Sequence, residues 1–219
     1  MAGPARFITF EGGEGAGKST QVKLLAQSFA TVGIEALTTR EPGGSRGGEA
    51  IRNLVVSGAV DQWHDATEAL LFMTARFDHV ETHIRPAINA GKWVLCDRFY
   101  DSTYVYQGMV KGVGTEWLDR LYALLLGNFA PDLTLLLDLP AEEGLARATA
   151  RGNDAESRFE RMGIEFHTKL REAFLARAKA EPKRFMQIDA TASPEAVHAQ
   201  IIATLNKRFN LALKPAQVA

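Results

Sequence analysis

The stretch Gly12-Gly13-Glu14-Gly15-Ala16-Gly17-Lys18-Ser19-Thr20 decides how the rest of the chain is read. It fits G-x-x-x-x-G-K-[ST], with Gly12 opening the pattern and Gly17-Lys18-Ser19 closing it. Just upstream, Phe7-Ile8-Thr9-Phe10 reads as a short apolar strand; just downstream, Gln21-Val22-Lys23-Leu24-Leu25-Ala26 begins a helical pattern. In that order, strand, glycine loop and helix form a phosphate cradle. Backbone N–H groups turn inward around an anion and the helix N-terminus adds the positive end of its dipole. Lys18 can reach β- and γ-phosphate oxygens, and the Ser19 hydroxyl can face Mg²⁺. The alternative, a glycine-rich turn with a solvated lysine, needs none of these flanks. The loop alone leaves open where the phosphate goes.

With 219 residues, the chain has room for one large domain. Its formal net charge of -1 supplies no basic field for a nucleic-acid polymer. No apolar run reaches the length of a membrane span. The first strand begins within about six residues, so we expect no secretory signal. One cysteine, Cys96, excludes an internal disulfide and fits a reducing, cytoplasmic setting, where Trp93-Val94-Leu95-Cys96 reads as a buried strand.

After the loop, a helix is expected over residues 21–31 with Gly33 closing it, then a strand over 34–39. That strand ends in Arg40-Glu41-Pro42-Gly43-Gly44, a charged turn at the carboxyl end of a strand, where ligands sit in open α/β sheets. A short helix follows over 48–57, and a long one over 65–89 capped by Asp65. Leu70, Met73, Phe77, Val80 and Ile84 share one stripe of the long helix, read as its core face, and Pro86 should kink or narrow its end. Phe72 and Arg76 fall together on another face. His79 and His83 share helical spacing but have no acidic partner of the H-E-x-x-H kind.

The third strand, 92–96, runs into Asp97-Arg98-Phe99-Tyr100-Asp101-Ser102-Thr103-Tyr104-Val105-Tyr106-Gln107. A carboxylate there, downstream of a phosphate loop, is the usual second element for holding Mg²⁺. Arg98 can grip a phosphate with its fork of donors, and the rings, hydroxyls and amides that follow suit a planar base. A helix is expected at 115–126. Leu133-Thr134-Leu135-Leu136-Leu137-Asp138-Leu139 reads as a strand buried on both faces. A helix at 141–150 leads into a polar, glycine-containing segment with Arg147, Arg151 and Arg158 spread across it. This could be a solvated loop or a lid, about residues 147–160, carrying arginine to phosphates. One long helix over 159–179, a strand at 185–189 and a helix at 193–207 capped by Ser193-Pro194 follow, with a weakly structured tail from 211. Strands alternating with helices, without a linker or repeat, predict one α/β domain spanning 1–219, a five-stranded parallel sheet with helices on both faces.

Phe10–Thr20 (FEGGEGAGKST), residues 39–44 (TREPGG) and residues 97–108 (DRFYDSTYVYQG), in this order and spacing, resemble the bacterial thymidylate kinases, with residues 151–160 falling at that family's lid. The resemblance covers about residues 6–207. It implies transfer of the γ-phosphoryl group of ATP to dTMP, with Mg²⁺, in a homodimer that often forms through the helix carrying Leu70 to Ile84. It further implies that Gly12, Gly13, Glu14, Gly15, Ala16, Gly17, Lys18, Ser19, Thr20 and Arg147 bind ATP, with Ser19 and Asp97 serving the metal. Glu14 would bind the sugar 3′-hydroxyl, Arg40 and Arg98 the monophosphate, and Phe72 would stack on thymine. Arg76 would bond O4, Ser102, Thr103 and Gln107 would lie near the base, and Tyr106 would exclude a 2′-hydroxyl. The loop itself holds no arginine, so a lid arginine would stabilise the transferring group: Arg158 is the first choice and Arg151 the second.

Two alternatives stand beside this. One is a kinase for another nucleoside monophosphate, such as adenylate or guanylate. The other is a nucleotide switch, for which the chain offers only Asn206-Lys207-Arg208-Phe209 in place of an N-K-x-D signature.

Overall fold

The computed structural model describes residues 5–150 and 158–217. Five parallel strands, β1 (Phe7–Glu11), β2 (Ala36–Arg40), β3 (Trp93–Asp97), β4 (Leu133–Asp138) and β5 (Phe185–Asp189), lie in the order β2-β3-β1-β4-β5. The apolar strands need cover on both faces, and alternation divides them accordingly. Ile8, Phe10, Leu95 and Leu135 pack with Val22, Leu25 and Phe29 of α1 (Lys18–Thr31) on one face. Val197, Ile201 and Leu205 of α9 (Pro194–Phe209) join that layer. On the opposite face, Phe7, Val94 and Cys96 meet Met73 of α3 (Asp65–His79) and Leu118 of α6 (Thr115–Leu126). The remaining helices are α2 (Arg46–Val56), α4 (Arg85–Asn89), α5 (Tyr100–Thr103), α7 (Ala141–Ala150) and α8 (Gly163–Ala180). Among the described residues, no helix is long and apolar enough to cross a membrane.

Several local expectations change. The Asp65 cap moves one residue back: the His64 Nδ1 accepts from the Ala66 N–H at 3.3 Å, and Asp65 sits inside the first turn. Ahead of Pro86 the long helix widens rather than narrows, into a π turn over Val80–Ile84. An extra residue in the turn accommodates a ring that has no N–H to give and clashes with the preceding turn. The stripe on that helix splits. Met73, Val80 and Ile84 are buried, but Leu70 and Phe77 are 45% and 41% exposed. The helix expected over 159–179 is broken at Gly163, whose φ of 79° leaves the right-handed region, so a 3₁₀ turn over Glu160–Met162 precedes α8. The tail is held: Leu213 is buried, and the Asn206 side chain clasps both its N–H (2.9 Å) and its C=O (3.0 Å).

Between α1 and α9 the Ser28 hydroxyl and His198 Nε2 lie 3.0 Å apart with no exposed surface, and His198 Nδ1 has no partner among the described residues. Burial penalises an imidazolium, so the His198 pKa is lowered. Its neutral form therefore contributes stability above the unfolded value of about 6.5, and that stability is lost as pH falls, because only the unfolded chain takes up the proton readily. Thermal midpoints should drop from about pH 7.5 to about 5.5, and His198→Gln should flatten part of that drop. His167, whose pKa burial also lowers, adds to that drop, while Glu11, whose carboxyl pKa burial raises to about 7, opposes it. An unchanged slope in the variant would contradict this account.

Candidate active site

Register sets the site at the carboxyl edge of the sheet. Phe10 of β1 and Arg40 of β2 both pair with Asp97 of β3, which brings the phosphate loop, the charged turn and the third strand end side by side. Tight contact with neighbouring backbone forces glycine into the loop. A Cβ on Gly12 (φ 135°) would lie 2.4 Å from the Leu137 carbonyl oxygen, and one on Gly15 (φ 70°) 2.0 Å from that of Gly144. Gly17, in the left-handed conformation, then admits α1 directly.

Lys18 is buried and folds back on the loop, donating to the Gly12 (3.1 Å) and Gly13 (2.6 Å) carbonyls. Burial and the nearby Arg98 push its pKa down to about 8, against the pull of Glu14, Asp97 and Glu11. The Ser19 hydroxyl donates to the Asp97 carboxylate. Thr20 is exposed. Arg98, a non-glycine residue at φ 67°, spans the centre: Nη1 donates to the Gly12 carbonyl (3.0 Å) and to Ser102 (3.1 Å), and Nη2 to Glu14 (2.8 Å). The Tyr106 hydroxyl donates to the same Glu14 oxygen at 3.2 Å. Although burial opposes ionisation, Arg98, Lys18 and His167 hold the Glu14 carboxyl down at about 2.

A second pocket wall comes from α3 and the segment after β3. That segment opens with α5 and continues as a π turn over Tyr104–Val110. Arg76 is 2% exposed. Its Nε donates to Glu41 (2.8 Å), its Nη2 to Thr103 (3.1 Å), and its Nη1 only to the weakly accepting Met73 sulfur (3.3 Å). Glu41 also faces His79 Nδ1 at 3.0 Å, and His79 Nε2 faces Thr39 at 2.7 Å. His79 is therefore part of a buried brace for Arg76, whereas His83 is exposed in the following π turn and faces the Thr82 hydroxyl. Gln107 is buried beside it, and Phe72 is half-buried.

The structure distributes the remaining expected residues unevenly. Arg40 is exposed at the strand end and pairs with Glu49 (3.1 Å). Ser102 donates its hydroxyl to Glu11 at 2.6 Å and accepts from Arg98 Nη1 at 3.1 Å. Arg147 donates to the Ala190 (3.0 Å) and Thr191 (3.3 Å) carbonyls beside the end of β5. Arg158, first choice for the lid cation, does not reach the phosphate loop. It is 1% exposed, donates to the Val55 (2.6 Å) and Val60 (3.0 Å) carbonyls, and pairs with Glu68. Its flexible stem carries the guanidinium to the buried Glu68 carboxylate, a preference that residue type alone does not reveal. Arg151 and about half of the proposed lid, residues 151–157, lie outside the described residues.

Three contributors went unread in the sequence. Glu11 ends β1 with no exposed surface and accepts from the Phe99 (2.8 Å) and Ser102 (3.2 Å) N–H groups, which aims Arg98 back at the loop. Burial and the Asp101 charge raise its pKa to about 7, against Arg98 and the donors from Ser102 and Phe99. Arg52 donates to the Pro42 carbonyl at 2.8 Å and lies within electrostatic reach of Arg40, Asp97 and Arg98. Glu68 is the third. An acidic residue on a buried strand or helix face was the available signal for Glu11 and Glu68, whereas Arg52 gave none. Among the described residues, no group of three or more His, Cys, Asp or Glu side chains converges as a metal nest.

The family model described as thymidylate kinase matches residues 10–201. A thymidylate kinase of Bradyrhizobium sp. (strain ORS 278) is 53% identical over 196 residues, 89% of this chain and 87% of that one. One from Caulobacter vibrioides is 51% identical over 205 residues, 94% of this chain and 98% of that one. The crystal structure of thymidylate kinase from Ehrlichia chaffeensis superimposes with a TM-score of 0.76 at 30% identity, covering 93% of this chain and 100% of that chain. The family model and these named relatives cover nearly the full length of the chain that carries this glycine loop and arginine-rich strand edge, and this chain belongs to the thymidylate kinase family.

Proposed function

We propose that this chain transfers the γ-phosphoryl group of ATP to dTMP, giving dTDP and ADP on the route to dTTP. The observation that carries the reading is the carboxyl edge of the sheet, where the phosphate loop and the arginines at two strand ends lie side by side, with the buried Arg76, Thr103 and Gln107 on the α3 side of the fold. Lys18 and the loop amides of residues 12–20 hold the ATP phosphates, with Arg147 beside the nucleoside. Arg40, Arg98 and Arg52 grip the acceptor phosphate. Phe72 stacks on the base, Arg76 donates to O4, and Glu14 takes the sugar 3′-hydroxyl under the Tyr106 ring.

In the reaction the γ-phosphorus leaves its bridging oxygen for an already anionic dTMP oxygen. No general base is needed, and catalysis reduces to positioning and charge neutralisation. Ser19 and Asp97, a hydroxyl touching a carboxylate at the phosphate edge, fit Mg²⁺, which binds hard oxygens through few protein ligands and completes its shell with phosphates and water. Bound there, Mg²⁺ would neutralise developing phosphate charge. Arg151 takes the role of the lid cation. At either end of the proposed lid, Arg147 donates to the Ala190 and Thr191 carbonyls just after β5, and Arg158 pairs with Glu68.

Leu70 and Phe77, left open on α3, together with Leu124 on α6 at 82% exposure, support a homodimer through that helical face. Cys96 is a buried free thiol whose pKa burial raises, which suits the cytoplasm as its compartment. A coupled ADP-release assay with dTMP, dUMP, AMP and GMP tests the function. We expect the highest kcat/KM with dTMP, and a purine preference would overturn the reading.

A further inference from the structure

Glu68 lies inside α3 with no exposed surface, and three donors converge on it, two from the π turn over Tyr104–Val110 and its end and one from Arg158. The Gln107 Nε2 donates to Oε1 at 2.7 Å. The Lys111 ammonium lies 2.9 Å from Oε1 and 3.0 Å from Oε2, and Arg158 pairs with Oε2. Two buried cations pair with this carboxylate, and its oxygens accept from the donors around them. Its neighbour amide must therefore turn its NH₂ toward Glu68. The Gln107 side-chain carbonyl oxygen is then the free end of that amide, and no hydrogen bond to it is found among the described residues.

We propose that Glu68 is a specificity-positioning residue: by fixing the Gln107 amide it makes the base pocket demand a ring N–H donor, and so admits thymine or uracil and rejects cytosine. The inference rests on the reading that the base lies between Phe72, Arg76 and Gln107. Thymine offers N3–H as a donor and O4 as an acceptor. A fixed Gln107 carbonyl takes the first, and the Arg76 Nη1, spent only on a sulfur, supplies the second. Cytosine inverts both: its N3 lone pair meets the amide oxygen and its 4-amino group meets the guanidinium. A free glutamine could flip its amide to suit cytosine, and Glu68 removes that option. The same carboxylate pairs with Arg158 of the proposed lid, so base reading and that end of the lid meet at one buried side chain.

Titration calorimetry of dTMP and dCMP on the full chain tests this, read as the ratio of the two dissociation constants. Glu68→Gln supplies a neighbour that can donate or accept, so the ratio should fall by about tenfold or more. In a Gln107→Leu background, the same change should move the ratio by less than about twofold, because the intermediary is gone. Should Glu68→Gln fail to fold, Glu68→Gln combined with Lys111→Met keeps the net charge of the cluster and replaces it in both arms. A folded Glu68 variant with the wild-type ratio overturns the proposal, as does an equally large drop in the Gln107→Leu background. If Gln107→Leu alone leaves the ratio unchanged, the placement of the base is wrong and the proposal falls with it. A purely structural Glu68 would lower the thermal midpoint and leave the ratio alone.

Discussion

Lys18→Met is expected to lower kcat by about a hundredfold to a thousandfold, the typical effect of removing one charged donor from a site where charge develops. The ammonium is buried and already bonded to the Gly12 and Gly13 carbonyls, so it is pre-placed at the centre of the phosphate cradle. Its pKa of about 8 reflects what burial beside Arg98 costs the charge. Methionine keeps the stem and removes that cost, so the variant should unfold at or above the parent temperature. Loss of activity without loss of stability separates a catalytic from a structural lysine. The same pKa gives a second readout. Because kcat/KM for ATP reports the free enzyme, it should decline as pH rises past about 8, where Lys18 loses its proton, and that limb should vanish in Lys18→Met. A kcat within about tenfold of the parent would remove Lys18 from the chemistry.

The second large effect separates the lid arginines. Arg151→Ala should lower kcat by at least about a hundredfold with dTMP affinity nearly unchanged, as expected of a cation that engages only the transferring group. Arg158→Ala should behave differently. Removing it strips Glu68 of one buried partner and leaves the Val55 and Val60 carbonyls without their donor. Breaking a buried pair of this kind costs about 3 kcal/mol, or about 6–12 °C in the thermal midpoint of a chain this long. Calorimetry and single-turnover kinetics on both variants decide the matter. If Arg158→Ala is as stable as the parent but about a hundredfold slower, the two roles are reversed.

The sequence by itself determined the parts of this protein whose cause is local. The glycine loop follows from φ values that only glycine adopts cheaply. The parallel sheet follows from apolar runs too continuous for a half-exposed strand, and the helix after Ser193-Pro194 from its capping pair. Asp97, Arg98, Phe72 and Arg76 could be named from position and pattern, because a strand end or a helical spacing already restricts where such residues point. The tertiary structure decided which charges meet. Arg158 and Glu68 are 90 residues apart, Arg76 and Glu41 are 35 apart, and Glu11 reaches Ser102 across 91. A buried ion acts on whichever partner folding places within about 4 Å, and sequence spacing carries no record of that distance once the chain has crossed the sheet. Long side chains add to the ambiguity, since an arginine at the lid can turn equally toward phosphate or toward a carboxylate in the core. Packing resolves that choice, and here it turned Arg158 inward.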